Sequence, residues 1–148
     1  MFDCVVIATD GSESAERAVR TAVDLAGKFD ADVHALYVVD EDELAESPDE
    51  VREDVETAVE TAGEQALAFV ESEAAASVDA VTTAVRRGDP ASEIIDYVEE
   101  VDANVIASGT RGRHGEHAFL LGSVAEEIVR RAPQPVLTVR QLEAAEEA

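Results

Sequence analysis

The sequence is poor in the residues that build disulfide, zinc or membrane proteins. It has one cysteine, Cys4, and no tryptophan. A single thiol excludes an intramolecular disulfide framework and a cysteine-rich zinc site. No apolar run approaches the roughly 20 residues that a membrane-spanning helix needs, and no basic segment precedes an apolar stretch at the start of the chain. We therefore expect a cytoplasmic protein that does not associate with membranes.

Basic residues are also scarce, and Lys28 is the sole lysine beside ten arginines. Against them stand 34 acidic residues, which give a formal net charge of -23. A surface with so few cations disfavours nucleic-acid binding, because phosphate affinity depends on them. Carboxylate-rich surfaces suit concentrated salt, where screening shortens the Debye length to about 3 Å at molar ionic strength. The composition therefore predicts a halophilic source.

The apolar content is high enough for a folded core. Hydrophobic residues make up 46% of the 148 residues, which argues against a disordered chain despite the charge. This length suits one domain better than two. We assign residues 1–140 to a single domain and residues 141–148 to a polar C-terminal tail.

Short continuous apolar runs alternate with patterns of helical spacing. The predicted strands cover residues 2–9, 33–39, 78–85, 104–108 and 136–139, and amphipathic helices follow the first four, the second beginning near residue 51 after an acidic loop at 40–48. Asp89 and Pro90 are typical of a helix start. The order βαβαβαβαβ predicts an α/β fold: one doubly wound, five-stranded parallel sheet with helices on both faces.

Two loops at the carboxyl edge of this sheet, where doubly wound folds bind ligands, contain suitable residues. They are residues 9–12 after the first strand and residues 109–123 after the fourth. In the second loop, glycines allow close backbone approach to an anion. Gly122, Ser123 and Val124 begin a helix, whose N-terminus favours phosphate, and Arg111 and Arg113 add positive charge.

Two common phosphate-binding motifs are absent. A Walker loop needs Gly-Lys-Ser/Thr, but Lys28 precedes Phe29. The dinucleotide fingerprint needs two glycines separated by one residue, and no such pair occurs. The sequence therefore excludes a P-loop NTPase and a Gly-x-Gly Rossmann enzyme.

The second loop has the spacing Gly-x2-Gly-x9-Gly-Ser at Gly109, Gly112, Gly122 and Ser123. With residues 5–12 and 135–140 beside it, this pattern resembles the nucleotide-binding branch of the universal stress protein (UspA-like) family. The resemblance covers almost the whole chain. It implies an adenine nucleotide alpha hydrolase-like fold and a stress-response function.

The resemblance also implies a ligand and a dimer. The ligand would be ATP, or ADP or AMP, with Mg²⁺ or Mn²⁺, and a homodimer would form through the last strand, Val136 to Val139. Asp10 would contact the ribose or metal region, the backbone near Val38 would meet the adenine, and the glycine-rich loop would border ribose and phosphates. The full set of expected binding residues is Thr9, Asp10, Val38, Gly109, Thr110, Arg111, Gly112, Arg113, Gly122, Ser123 and Val124.

Three functions remain open from the sequence. The first is a nucleotide-dependent regulatory protein with at most weak ATP hydrolysis, for which we assign no catalytic residue and no protein metal ligand. The second is an adenylating or ATP-pyrophosphatase-type enzyme, although residues 10–14 lack the paired glycines of a Ser-Gly-Gly-x-Asp-Ser loop. The third is a dimer scaffold that binds no nucleotide, in which Asp10 merely caps the first helix.

Overall fold

The computed structural model describes residues 2–110 and 122–140, which form one parallel sheet with helices on both faces. The elements are β1 (Cys4–Ala8), α1 (Glu13–Phe29), β2 (Asp32–Asp40), α2 (Glu41–Ala45), α3 (Arg52–Ala74), β3 (Val81–Gly88), α4 (Pro90–Glu100), β4 (Val105–Gly109), α5 (Ser123–Arg131) and β5 (Val136–Val139). The strand order is β3-β2-β1-β4-β5, and every pairing is parallel. The predicted doubly wound, five-stranded sheet is confirmed.

The central strand β1 is buried on both faces, as its continuous apolar run predicts. Val5 and Ile7 join the core layer beneath α1 and α3, whereas Val6 and Ala8 join the layer beneath α4 and α5. Its neighbours are β2 on one side and β4 on the other. The strand order therefore reverses between β1 and β4, which places a crevice at their carboxyl ends.

Side-chain caps fix where α1 and α4 begin. Ser12 caps α1, its hydroxyl accepting a hydrogen bond from the Ala15 N–H. Asp89 caps α4 through the Ser92 N–H, and Pro90 occupies the first helical position. The predicted Asp-Pro helix start is confirmed. The cap of α1 is Ser12 rather than Asp10.

Two element assignments from the sequence were wrong. The segment predicted as a loop at 40–48 contains the one-turn helix α2, which the Asp40 carboxylate caps through the N–H groups of Asp42 and Glu43. The third strand covers Val81–Gly88 rather than residues 78–85. The Val78 N–H still bonds the Ala74 carbonyl at the end of α3, so pairing with β2 starts three residues later.

Within residues 2–110 and 122–140, we find no helix with the length and apolar character that a bilayer crossing requires. Both outer strands of the sheet, β3 and β5, have one neighbour each among these residues. The homodimer through Val136–Val139 remains a prediction.

Candidate functional site

A cavity of about 270 Å³ opens at the carboxyl ends of β1, β2 and β4. The first turns of α4 and α5 close its other sides. Seven of the residues predicted to bind a ligand line this cavity: Thr9, Asp10, Val38, Gly109, Gly122, Ser123 and Val124. Arg111, Gly112 and Arg113 lie outside the described residues. The fold thus brings the loop after β1 and the start of α5 to one space, although they are more than 100 residues apart in sequence.

The turn between β1 and α1 is held by its own side chains. The Thr9 hydroxyl accepts a hydrogen bond from the Gly11 N–H at 3.2 Å, and the Asp10 Oδ1 accepts one from the Ser12 N–H at 2.9 Å. Gly11 has a φ of 79°, a conformation that suits glycine. One Asp10 oxygen therefore orders the turn and orients the carboxylate beside the cavity, but Asp10 is not the helix cap itself.

Thr110 joins three elements next to the cavity. Its N–H donates to the Val139 carbonyl at 3.1 Å, and its carbonyl accepts a hydrogen bond from the Gly122 N–H. The exit of β4, the start of α5 and the end of β5 therefore meet at one residue. Because these two N–H groups have protein acceptors, neither is available to a ligand in this arrangement.

The first turn of α5 has free amide donors. Gly122 is its N-cap residue and provides no side-chain cap. Within the described part of the chain, the N–H groups of Ser123, Val124 and Ala125 have no acceptor, and all three residues line the cavity. Helix N-termini carry a partial positive charge. This turn therefore adds partial positive charge to the described cavity wall.

The start of α4 differs from that of α5, although Pro90 also lines the cavity. Proline has no N–H to offer, and the Asp89 carboxylate already accepts from the Ser92 N–H at 3.1 Å. Of these two helix starts at the cavity, only that of α5 presents free donors to it.

Gly109 allows α1 to pack closely against the end of β4. A Cβ at this position would lie 2.8 Å from the Ser14 carbonyl oxygen and 3.1 Å from the Ser14 carbonyl carbon. Real Cβ atoms do not approach backbone so closely. The first signature glycine is therefore required by helix packing, a reason that the sequence analysis did not include.

Sequence reasoning missed several residues of the cavity wall. Asp40 and Glu43 line it together with Asp10, whereas the described lining includes no Lys, Arg or His. Pro90 and Ile94 add apolar surface. Asp40 could have been found, since it is the last residue of β2 and so lies at the same sheet edge. Glu43 reaches the cavity because it lies on α2, a helix that the sequence analysis did not predict.

Two groups with shifted pKa values, His34 and Tyr97, lie away from the cavity, between β2 and α4. Burial lowers the pKa of His34, partly offset by Asp32, and burial raises the pKa of Tyr97. The His34 Nδ1 and the Tyr97 hydroxyl are 2.7 Å apart. These residues are not part of the cavity wall. Within the residues that the structure describes, no three His, Cys, Asp or Glu side chains form a group that could hold a metal ion.

Comparisons with known proteins agree on one family. The model of the universal stress protein family matches residues 1–140. Universal stress protein MJ0531 of Methanocaldococcus jannaschii is 36% identical over 142 residues, 95% of this chain and 84% of that protein.

Solved structures show the same fold. The hypothetical protein MJ0577 superposes with a TM-score of 0.82 at 25% identity, covering 97% of this chain and 99% of that one. A universal stress protein in complex with cAMP gives a TM-score of 0.70 at 25% identity, covering 95% and 98%. With the family match over residues 1–140 and the 36% identical relative, the chain belongs to the universal stress protein family.

Proposed function

We propose that this protein binds an adenine nucleotide in the cavity beside β1 and β4 and acts as a nucleotide-dependent regulatory protein of the stress response. The nucleotide is ATP, with ADP and AMP as alternatives, and hydrolysis is at most slow. The observation that carries the proposal is the uncapped first turn of α5, whose free N–H groups line the cavity opposite the turn after β1.

The phosphates would bind at α5. The N–H groups of Ser123, Val124 and Ala125 can each donate a hydrogen bond to a phosphate oxygen, and the helix dipole adds attraction for the negative charge. The glycine spacing of the nucleotide-binding branch supports this assignment. Under the proposal, Arg111, Gly112 and Arg113 border the phosphates from the loop outside the described residues.

The base and the ribose would bind at the β2 side of the cavity. Leu36, Val38, Pro90 and Ile94 provide apolar surface there, which suits the flat face of a purine. The oriented Asp10 carboxylate is an acceptor suited to ribose hydroxyl groups. A universal stress protein related at 25% identity has been solved with cAMP, which supports adenine as the base.

A divalent cation would reduce the repulsion between phosphates and the acidic lining. Asp10, Asp40 and Glu43 all line the cavity, so an unneutralised triphosphate meets like charge. Mg²⁺ commonly binds through one or two carboxylates together with substrate phosphates rather than in an all-protein cage. Asp10 fits that donor set, and Mg²⁺ or Mn²⁺ bound this way would supply charge neutralisation.

The described lining favours binding over catalysis. It contains no His, Cys, Lys or Tyr, and of its three carboxylates those of Asp10 and Asp40 already accept backbone hydrogen bonds that order the chain. The alternative, an adenylating or pyrophosphatase-type enzyme, predicts conversion of ATP to AMP and pyrophosphate at about 1 per second or faster. Turnover at that rate would establish the enzyme in place of the regulatory protein.

The first test is the identity of the bound molecule. Untagged protein is denatured, and the released small molecules are separated by chromatography. We expect an adenine nucleotide in the extract, or an ATP-induced rise in melting temperature if the site is empty on purification. Absence of both would support the scaffold that binds no nucleotide.

The second test removes one donor without disturbing the helix. Ser123 is the first residue of α5, where proline is well tolerated, and Gly122 has φ −65° and ψ 160°, which proline also permits in the residue before it. Ser123→Pro should weaken ATP binding by about 10-fold or more, the value of one hydrogen bond to a charged group. Ser123→Ala keeps the N–H and is the matched control. Equal affinities of the two variants in titration calorimetry would contradict the phosphate assignment.

A further inference from the structure

The outer strand β3 presents a long, open edge. Its eight residues pair with β2 in an uninterrupted parallel register, from Val81 opposite Val33 to Gly88 opposite Asp40. The Val33 N–H donates to the Ala80 carbonyl. In a parallel pair, successive residues of a strand direct their backbone N–H and C=O groups alternately towards and away from the neighbouring strand. The even-numbered residues of β3 therefore bond to β2, whereas the backbone N–H and C=O groups of four others point outward: Val81, Thr83, Val85 and Arg87. Among the described residues, these outward groups have no hydrogen-bond partner.

The usual protections of an edge strand are missing from β3. Proteins blunt such edges with proline, bulges or free charged side chains. Here the register has no interruption, and no proline lies between Val81 and Gly88. The two arginines are engaged by neighbouring helices: Arg87 Nη2 lies 2.9 and 2.8 Å from Glu56 and Glu60 on α3, and Arg86 Nη1 lies 2.9 Å from Glu100 on α4. Val85 remains 54% exposed.

Acidic rows lie on the helices on both sides of this edge. The residues that pair with the arginines belong to series at helical spacing of three and four. On α3 the row is Glu53, Glu56, Glu60 and Glu64, and on α4 it is Glu93, Asp96 and Glu100. The two rows hold seven carboxylates, of which three pair with the two arginines, and this leaves the surroundings of the edge negatively charged.

We propose that the β3 edge binds an extended, basic segment of another protein as an added strand. The outward backbone groups would supply main-chain hydrogen bonds, as in other strand-addition complexes, and the acidic rows would pair with Lys or Arg side chains of the segment. A second copy of this chain fits less well, because it would bring its own acidic rows and a net charge of -23 to the same place. The surface is separate from the cavity, which lies among the ends of β1, β2 and β4.

The test uses an end-blocked, fluorescein-labelled octapeptide of alternating Lys and Val, with a Glu-Val octapeptide of the same length as control. Fluorescence anisotropy at fixed salt should show saturable binding of the Lys-Val peptide to the protein and no binding of the Glu-Val peptide. The bound Lys-Val peptide should slow hydrogen exchange of the full chain at the outward N–H groups of Val81, Thr83, Val85 and Arg87. Val85→Pro removes one outward donor and no bond to β2, so affinity should fall about 10-fold, whereas Val85→Thr should bind as the parent does.

Several outcomes would overturn the proposal. Equal binding by the proline and threonine variants, or slowed exchange confined to other segments, would mean that the peptide associates through charge alone. Absence of binding would exclude the partner class. Sedimentation that shows a dimer lost in Val85→Pro would assign the edge to a second copy instead. If Val85→Pro fails to fold, judged by circular dichroism, the exchange data on the parent chain decide the matter.

Discussion

At the scale of single residues, Gly109 and His34 show how sequence positions acquire structural roles that composition does not reveal. Gly109 was predicted to border the ribose and phosphates of a ligand. The structure shows that it also packs closely against the Ser14 backbone of α1. His34 lies between β2 and α4, beside Tyr97. Each position makes a measurable prediction about stability.

Gly109→Ala should destabilise the fold by about 1–3 kcal/mol, the usual cost of forcing a methyl group into packed structure. The new Cβ would meet backbone atoms of Ser14 at 2.8 Å, and backbone cannot rotate away as a side chain can. Chemical denaturation measures the free energy of unfolding. Ser108→Ala, one residue earlier on β4, is the control and should change it by less than about 1 kcal/mol. An unchanged stability in Gly109→Ala would show that the close contact is absent.

His34 should make stability depend on pH near neutrality. Burial lowers its pKa below the ordinary 6.5, so the unfolded state binds more protons than the folded state in the window below that value. Stability should therefore rise as the pH rises towards 6.5 and above, and fall as the pH drops through the folded-state pKa. Urea denaturation between about pH 5.5 and 7.5 tests this.

His34→Gln is the matched variant and should flatten that profile. It keeps a polar side chain opposite Tyr97 but cannot titrate. Asp32 opposes the effect of burial on the His34 pKa, so Asp32→Asn should steepen the dependence. A parent profile that is flat, or that slopes the other way, would contradict the pKa direction.

At the scale of elements, the start of α5 is where binding and stability can be separated. Gly122→Asp places a carboxylate at the N-cap, where it can accept hydrogen bonds from the following amides. Because aspartate is as good an N-cap as glycine or slightly better, the free energy of unfolding should stay equal or rise by a few tenths of a kcal/mol. The same carboxylate occupies the donors proposed for phosphate and repels it.

ATP affinity of Gly122→Asp should therefore fall by about 100-fold, which titration calorimetry measures. Asp89→Asn at the start of α4 is the control, since that helix start offers no free donor to the cavity and asparagine caps equally well. Loss of binding in both variants, or in neither, would contradict a phosphate site specific to α5.

The elements also show what the sequence could predict. β1, β4 and β5 were predicted to within one or two residues, because continuous apolar runs bounded by Gly, Asp or Pro have few other interpretations. α2 was missed because five mostly acidic residues carry no periodicity, and its start depends on the Asp40 cap. β3 was placed three residues early because the apolar Val78 belongs to the turn after α3.

The candidate site, too, could be predicted from the sequence only in part. Thr9, Asp10, Gly122 and Ser123 could be placed together from the rule that ligands bind at the carboxyl ends of strands. Glu43 could not be placed, since it depends on α2. The packing reason for Gly109 depends on how closely α1 approaches β4, which no local pattern encodes.

At the scale of the whole molecule, the charge predicts a requirement for salt. A net charge of -23 on 148 residues produces self-repulsion in the compact state. The described ion pairs lie at the surface, where each contributes little. Screening should therefore stabilise the fold more than it weakens these pairs.

Raising KCl from 0.1 to 2 M should increase the melting temperature by more than about 4 °C, which corresponds to more than about 1 kcal/mol in a domain of this size. Calorimetry or circular dichroism measures the transition. A variant with Glu41, Glu46 and Glu50 changed to Gln, all exposed, should need less salt for the same stability. A melting temperature equal at both salt concentrations would exclude halophilic adaptation.

The hydrogen bond between Thr110 and Gly122 has a consequence for how such a protein can change over time. This bond holds residues 110 and 122 at neighbouring points, on either side of the eleven positions between them. An insertion or deletion there needs no movement of either anchor and carries a small entropic cost. Under the proposed function, ligand preference can therefore diversify by sequence changes between residues 110 and 122 alone, while sheet and helices are inherited intact.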